Sequence, residues 1–378
     1  MLKERDYIQN FIEHFCDIED HRQASKVHHT MTEILFLAIV ATASAAESWG
    51  EIEEFGKAHL TTLRRYFPFK SGSPSDCTIR RFFRSLSHEK MNEILGKHFG
   101  ANLEEKHYAI DGKTLRGSKY EDNRAFHFLN VYAVESGITV YGQIMDAKDN
   151  EITAIPEALD ALDIRGATVT IDAMGCQRSI ARQIIEKAGE YIFTLKKNQG
   201  GLYFEVEKVF NLSDEKQEKD FAVTSDTGHG RVEVRECRVI KDLSKLSSLV
   251  SSKWSGLSSI IEVRRNTTQK DKVTTSVDYY ISSLNISASE ILQKIRNHWK
   301  IESMHWGLDV AFGEDKNKMR DKNAAANMAI IRRFALNIVD KMKVKKKDTR
   351  PKIMLAMGWS QANMCRFIDK LLKVNNHS

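Results

Sequence analysis

Two runs constrain the fold of this chain more than anything else in it: HYAID, closing at Asp111, and ATVTID, closing at Asp172. Each joins apolar and β-branched residues, closes on Ile-Asp and continues with a small residue, Gly112 or Ala173. Short runs of this kind read as buried strands, here with a carboxylate at each mouth. A third acid, Glu302, lies inside the long helical stretch IRNHWKIESMHWGLDVAF. Carboxylates fixed on separate rigid elements can converge on divalent cations, and such ions can drive phosphodiester chemistry.

The runs around these acids follow an ordered pattern. HYAID, FHFLNVYAVES and ITVYGQIMDA read as three consecutive strands, with Gly137 in the second turn. EITAIPEALDAL reads as a helix with Pro156 in its first turn. ATVTID is a strand, CQRSIARQIIEKAG a helix closed by Gly189, and EYIFTLKK a strand. This β-β-β-α-β-α-β order predicts an α+β (mixed α/β) fold, a mixed sheet with helices on its faces. Residues 200–288 interrupt it with FAVTSD, RVEVRECRVI, LSSIIEVRRN and SVDYYISSL, read as a β-rich insertion that folds away from the acids. A helix from about Ser289 to Asp309 and another over DKNAAANMAIIRRFALNIVDKM follow. The expected organisation is an all-helical amino-terminal domain over 1–105, a catalytic domain over 106–340, and a basic helical tail over 341–378 with a last helix after Ser360.

Charge and cysteine content narrow the class. Lys and Arg number 57 against 51 Asp and Glu, a net +6, which permits a polyanionic partner without requiring one. Cys16, Cys77, Cys176, Cys237 and Cys365 are scattered and odd in number, with no zinc spacing or disulfide framework, which fits a reducing cytoplasm. Cys176 reads as a buried, inert thiol. MLKERDYIQNF is no signal peptide, and ILFLAIVATASAA is too short to span a bilayer.

In the helical region, SGSPSDCTIRRFFRSLS opens with turn formers and a cap, Ser75 or Asp76. The helix after it gathers Arg80, Arg81 and Arg84 beside Ile79, Phe82 and Phe83. That suits the reading helix of a helix-turn-helix, and equally an amphipathic helix with a solvated basic face. Lys113, Arg116, Arg178, Lys196, Lys197, Asn198 and Gln199 follow the strand ends and are candidates for phosphate contact. His298, His305 and Asp309 share the helical face of Glu302 and are candidate accessory groups. Trp299 and Trp306 read as core residues, and Trp254 as a candidate base-stacking platform.

Each acid has a plainer reading. Asp111-Gly112 is a hairpin signal, Asp172 a strand-end cap, and Glu302 a solvated helix residue. Glu-x-x-His is also a ligand pattern of di-iron bundles, but its second copy, Glu104 to His107, runs into a strand.

The ordered motifs AIDGKTLRGS, NEITAIP, TIDAMGCQ, LKKNQ, GHGRVEVRE, YYISSL and HWKIES with HWGLDVAFGED resemble the H-repeat-associated transposases. These are DDE-type insertion-sequence transposases with a ribonuclease-H-like core. The resemblance implies that Asp111, Asp172 and Glu302 are the catalytic, metal-holding triad, served by Mg2+ or Mn2+, in two ions. It implies that the first and fourth strands are neighbours. It implies cleavage and strand transfer at the ends of an insertion element. The implied partner is double-stranded DNA, as terminal inverted repeats and target, bound in the cytoplasm by a chain that allows a homodimer on DNA. Ser303 stands where the motif carries Asn, and Ile295, His298 and Asp309 stand where related transposases carry Tyr, Arg and Lys. The rival readings are a metal-dependent nuclease of the same fold and a DNA-binding protein with an inactive core.

Overall fold

The computed structural model describes residues 2–15, 18–20, 22–100, 104–121, 124–145, 151–212, 220–228, 230–270, 272–345 and 347–373. Cys16 and His229 of the GHGR run lie outside them.

Helices α1 (Leu2–Phe15), α2 (Met31–Ala43), α3 (Trp49–Ala58), α4 (Leu60–Leu63), α5 (Asp76–Ser85) and α6 (His88–Gly100) come first. Thr30 and Glu33 start α2 with a reciprocal cap: Glu33 N–H donates to Thr30 Oγ1 at 3.2 Å and Thr30 N–H to Glu33 Oε2 at 2.9 Å. Ser75 caps α5, whose Ile79, Phe82 and Phe83 are buried. Residues 64–75 separate α4 from α5, far more chain than the three- or four-residue turn of a helix-turn-helix.

Strands β1 (His107–Leu115), β2 (Phe126–Ala133) and β3 (Ile138–Met145) form a meander. Gly137 supplies the positive φ, 71°, at its second turn. Then come α7 (Glu151–Asp160), β4 (Thr168–Ile171), α8 (Arg178–Glu186) and β5 (Glu190–Leu195). Pro156 sits within α7 and not in its first turn. The left-handed residue after α8 is Ala188, φ 55°, and not Gly189. Strand β4 lies parallel between β1 and β5, which makes the first and fourth strands neighbours as expected.

The region after β5 departs from expectation. It begins with a helix, α9 (Gly200–Leu212), before β6 (Phe221–Gly228), β7 (Arg231–Ile240), α10 (Ser248–Ser251), β8 (Ser259–Gln269) and β9 (Lys272–Ser282). It does not fold away from the acids. Strand β9 pairs antiparallel with β5, and among the described residues one sheet runs β3-β2-β1-β4-β5-β9-β8-β7-β6. The unpaired edge of β5 explains this, because an open strand edge is covered by whatever chain can pair with it.

Helix α11 (Ala288–Phe312) crosses one face of the sheet against β1 and β4. It is capped by Ser287 and ends at Gly313, φ 58°. Helix α12 (Lys322–Lys341) packs against α2, α5, α6 and β3 and is buried without a break from Ala324 to Val339. Asn327 Nδ2 donates to Phe83 O and Leu86 O, 2.9 Å each, tying α12 to the end of α5. The tail holds two helices, α13 (Arg350–Trp359) and α14 (Gln361–Leu372), the first of them unanticipated. Met364, Phe367 and Ile368 of α14 are fully buried, so this segment belongs to the core. Among the described residues no helix is long and apolar enough to cross a membrane.

Candidate active site

Register places the two aspartates. Ile110 pairs with Ile171 in the parallel β1–β4 ladder, so Asp111 and Asp172 follow side by side. Asp111 lies within β1, which continues to Leu115, whereas β4 stops at Ile171 and frees Asp172 into a loop. Asp172 Oδ1 accepts from Met174 N–H at 2.9 Å, so it caps its own loop and not α8. Asn198 Nδ2 donates to Ala173 O at 2.7 Å and Gln199 Nε2 to Cys176 O at 2.8 Å. These amide N–H groups pin the Asp172 loop. Cys176 is buried, as expected.

Asp111, Asp172 and Glu302 line one cavity of about 450 Å3, with Thr170, Lys196, Arg265, Ser276, Asp278, Tyr280, Ile295, His298 and Trp299. Arg265, Ser276 and Asp278 come from β8 and β9, so the insertion builds a wall of the site. Burial pushes Asp111 up to about 8, helped by the charges of Asp172, Glu151 and Glu302. Burial also raises Glu302, against the pull of Arg265. Among the described residues no three His, Cys, Asp and Glu side chains are close enough to hold one ion. The acidic donors on the cavity are hard oxygens, which suits Mg2+ or Mn2+ and not zinc.

Glu151 was not singled out in the sequence. It opens α7 and lies against the bare backbone of Gly112: a Cβ at Gly112 would stand 2.1 Å from Glu151 Oε1. Burial and then Asp172 push its carboxyl up to about 7. Its place in NEITAIP, just before a helix, resembles an ordinary helix start, and only the glycine beside Asp111 hints at the contact.

Several predicted residues have other tasks. Lys113 is 7% exposed; its Nζ lies 2.6 Å from Asp309 Oδ1 and 3.0 Å from Asp315 Oδ1. Lys113 is therefore no DNA contact, and Asp309 is committed to that lysine. Trp299 and Trp306 are exposed, 47% and 64%, correcting their assignment to the core, with Arg265 5.4 Å over the Trp299 ring. Trp254 is 3% exposed and cannot be a stacking platform. His298 Nδ1 lies 2.9 Å from Thr170 Oγ1, and burial depresses its pKa to about 4, so the ring is neutral. Arg116, Arg178, Lys196 and Lys197 are exposed. Arg80, Arg81 and Arg84 are exposed too, with Arg80 paired to Asp76 at 2.8 Å and Arg84 to Asp321 at 3.2 Å. Arg80 and Arg84 line a second cleft, about 800 Å3, opposite Lys316, Lys318 and Arg320.

A mixed sheet with helices on its faces carries three sequence-distant acids around one cavity, an arrangement that suits metal-dependent phosphodiester chemistry. The transposase DDE domain model matches residues 102–338, and the DDE_Tnp_1-associated model matches residues 12–99. The chain belongs to the DDE transposases and is a DNA transposase. It is 38% identical over 361 residues to YbfL of Escherichia coli K12, covering 92% of this chain and 95% of that one. It is equally similar, with the same coverage, to the H repeat-associated protein YhhI of that strain. YncI of Escherichia coli O157:H7 is 37% identical over 347 residues, covering 88% and 87%. Enzymes of this family generally use divalent metal ions, and the family implies DNA binding.

Proposed function

We propose that Asp111, Asp172 and Glu302 hold two Mg2+ or Mn2+ ions and that the chain cuts and joins DNA at the terminal inverted repeats of an insertion element. The observation that carries this reading is that three acids, 61 and then 130 residues apart, line one cavity. Ions held by these acids would activate water as the oxygen nucleophile and neutralise charge on the phosphate. The protein fixes the acids on β1, on the loop pinned by Asn198 and Gln199, and on α11. Arg265, reaching in from β8, supplies the cationic group that related transposases carry on the helix of the third acid. Lys196 stands on the same rim for the phosphodiester.

The duplex runs along the cleft between α5 and residues 316–320, where Arg80, Arg84, Lys316, Lys318 and Arg320 face phosphates. Arg320 Nη1 donates to Gly117 O at 2.8 Å, which joins that cleft to the turn after β1 and so to the acid site. Arg81, Arg116 and Arg178 extend the basic surface. We place the protein in the cytoplasm on nucleoid DNA, as a homodimer that pairs two element ends.

Footprinting on DNA carrying the chain's own flanking sequence tests the assignment. Protection of inverted repeats is expected, with Mg2+-dependent cutting there and joining of pre-cut ends to target DNA. Cutting without joining would make it a nuclease. Full activity in Asp172→Asn would remove the triad.

A further inference from the structure

Behind Asp111 runs a buried line of side chains whose hydrogen atoms can be assigned one by one. Arg333 is fully buried and ion-paired with Glu314, itself 1% exposed. A guanidinium only donates, so Arg333 Nε, 2.8 Å from Asn130 Oδ1, fixes that atom as the amide oxygen. The amide nitrogen of Asn130 then has one hydrogen for Phe128 O, 3.2 Å away, and one for His305 Nε2, 3.0 Å away. Nε2 is thus an acceptor, and the His305 ring carries its hydrogen on Nδ1. Nδ1 faces Asp111, 3.6 Å from Oδ2. That is longer than a hydrogen bond and leaves Nδ1–H aimed at the carboxylate.

We propose that His305, locked as the Nδ1–H tautomer by Asn130 and Arg333, is a positioning residue that orients the Asp111 carboxylate toward the cation it holds. The inference rests on the reading of Asp111 as a metal-holding acid. Helix α11 then does two things: it carries Glu302 and, one turn later, the donor that aims a different acid. The Glu314–Arg333–Asn130 line makes the direction of that donor a fixed property of the core. A residue that merely filled space would not depend on which nitrogen bears the hydrogen. A residue that orients a ligand does, and losing such an outer partner typically weakens metal affinity or activity by about 10–100-fold.

The test uses the full chain and three measurements. Nitrogen-15 NMR of the histidine-labelled, metal-free protein reports the tautomer, with the His305 signal assigned by its absence in His305→Asn. Mn2+ titration without DNA reports affinity, and cleavage of element-end DNA reports rate. The expected result is an Nδ1–H ring in the wild type. His305→Phe should lower Mn2+ affinity and rate by about 10–100-fold. His305→Asn, whose amide nitrogen can take the place of Nδ1, should recover most of both. An Nε2–H ring in the wild type would overturn the proposal, and so would unchanged Mn2+ affinity and rate in His305→Phe. If that variant does not fold, the wild-type tautomer and His305→Asn decide. Cleavage surviving in Asp111→Asn would instead overturn the acid reading, whatever His305 does.

Discussion

Ile110 of β1 and Ile171 of β4 are partners in a parallel ladder, and that single register sets Asp111 beside Asp172. Strands in a sheet lie roughly 4.8 Å apart, so two carboxylates at matching positions share one mouth. A slip of one residue would turn one acid to the opposite face of the sheet.

The raised Asp111 carboxyl gives the metal-free protein a pH signature. Its folded pKa, about 8, is above the unfolded value near 4. Between those values the folded state holds a proton that the unfolded state has lost, so stability falls as pH rises through that window. Asp111→Asn should therefore melt higher than wild type at pH 8 in chelator, by at least ~1.4 kcal/mol, the worth of one pKa unit. At pH 4 the two should melt alike. A variant that is less stable at pH 8 would contradict the charge crowding.

Metal affinity should carry the opposite dependence. The cation needs ionised carboxylates, so binding releases protons and tightens as pH rises from about 6 to about 8. Calorimetry in buffers of different ionisation enthalpy would count those protons. Binding independent of pH across that range would exclude Asp111 as a ligand.

Glu151 can be separated from a plain helix-start residue by sign. An acid that only favours a helix N-terminus stabilises the protein, and removing it lowers Tm. An acid crowded against Asp172 and Asp111 does the reverse. Glu151→Gln should raise the metal-free Tm at pH 8 and shrink the rise that Mg2+ produces. A lower metal-free Tm would return it to the helix start.

The pair Arg333–Glu314 should be costly to break. Both side chains are essentially unexposed, so Arg333→Met leaves the buried Glu314 carboxylate with only the longer contact to Lys113, 3.6 Å. A loss of about 3–5 kcal/mol is expected in denaturant unfolding. A loss below about 1 kcal/mol would show that water reaches Glu314.

The cleft between α5 and residues 316–320 makes a salt prediction. Each lost phosphate contact lowers the salt slope by about 1. Replacing Lys316, Lys318 and Arg320 together by Ala should flatten the slope by about 3, on specific and random duplexes alike. An unchanged slope would leave the cleft out of the DNA path.

The strands and the acids were legible because a strand's signal is local: a short apolar run, a turn former, a change of period. Pairing between distant strands is not local. Nothing in SVDYYISSL says that β9 will add to β5, so the insertion read as a separate lobe when it walls the site with Arg265 and Asp278. Lys113 was misjudged for a related reason. It stands two residues after Asp111 and so on the same face of β1, toward α11 and the Asp309 and Asp315 carboxylates. Alternation along the strand held that information, but only a partner helix makes it a buried ion pair. The tryptophans of α11 were assigned by residue type, yet its core face is carried by Ile291, Ile295, Ile301, Met304 and Leu308. Trp299 and Trp306 continue the stripe of Ile291 and Ile295 beyond the cluster that covers it, while Ile301, Met304 and Leu308 turn to the main core, so both rings stay exposed.

Helix α12 has a consequence for how copies of this chain are made. It is the central timber of the helical body, yet it follows the whole sheet in chain order. Until residue 341 has emerged, α2, α5 and α6 lack the partner that covers their apolar sides. A nascent chain therefore cannot complete its amino-terminal helices on its own. A copy cut short before α12 would leave the apolar sides of α2, α5 and α6 uncovered.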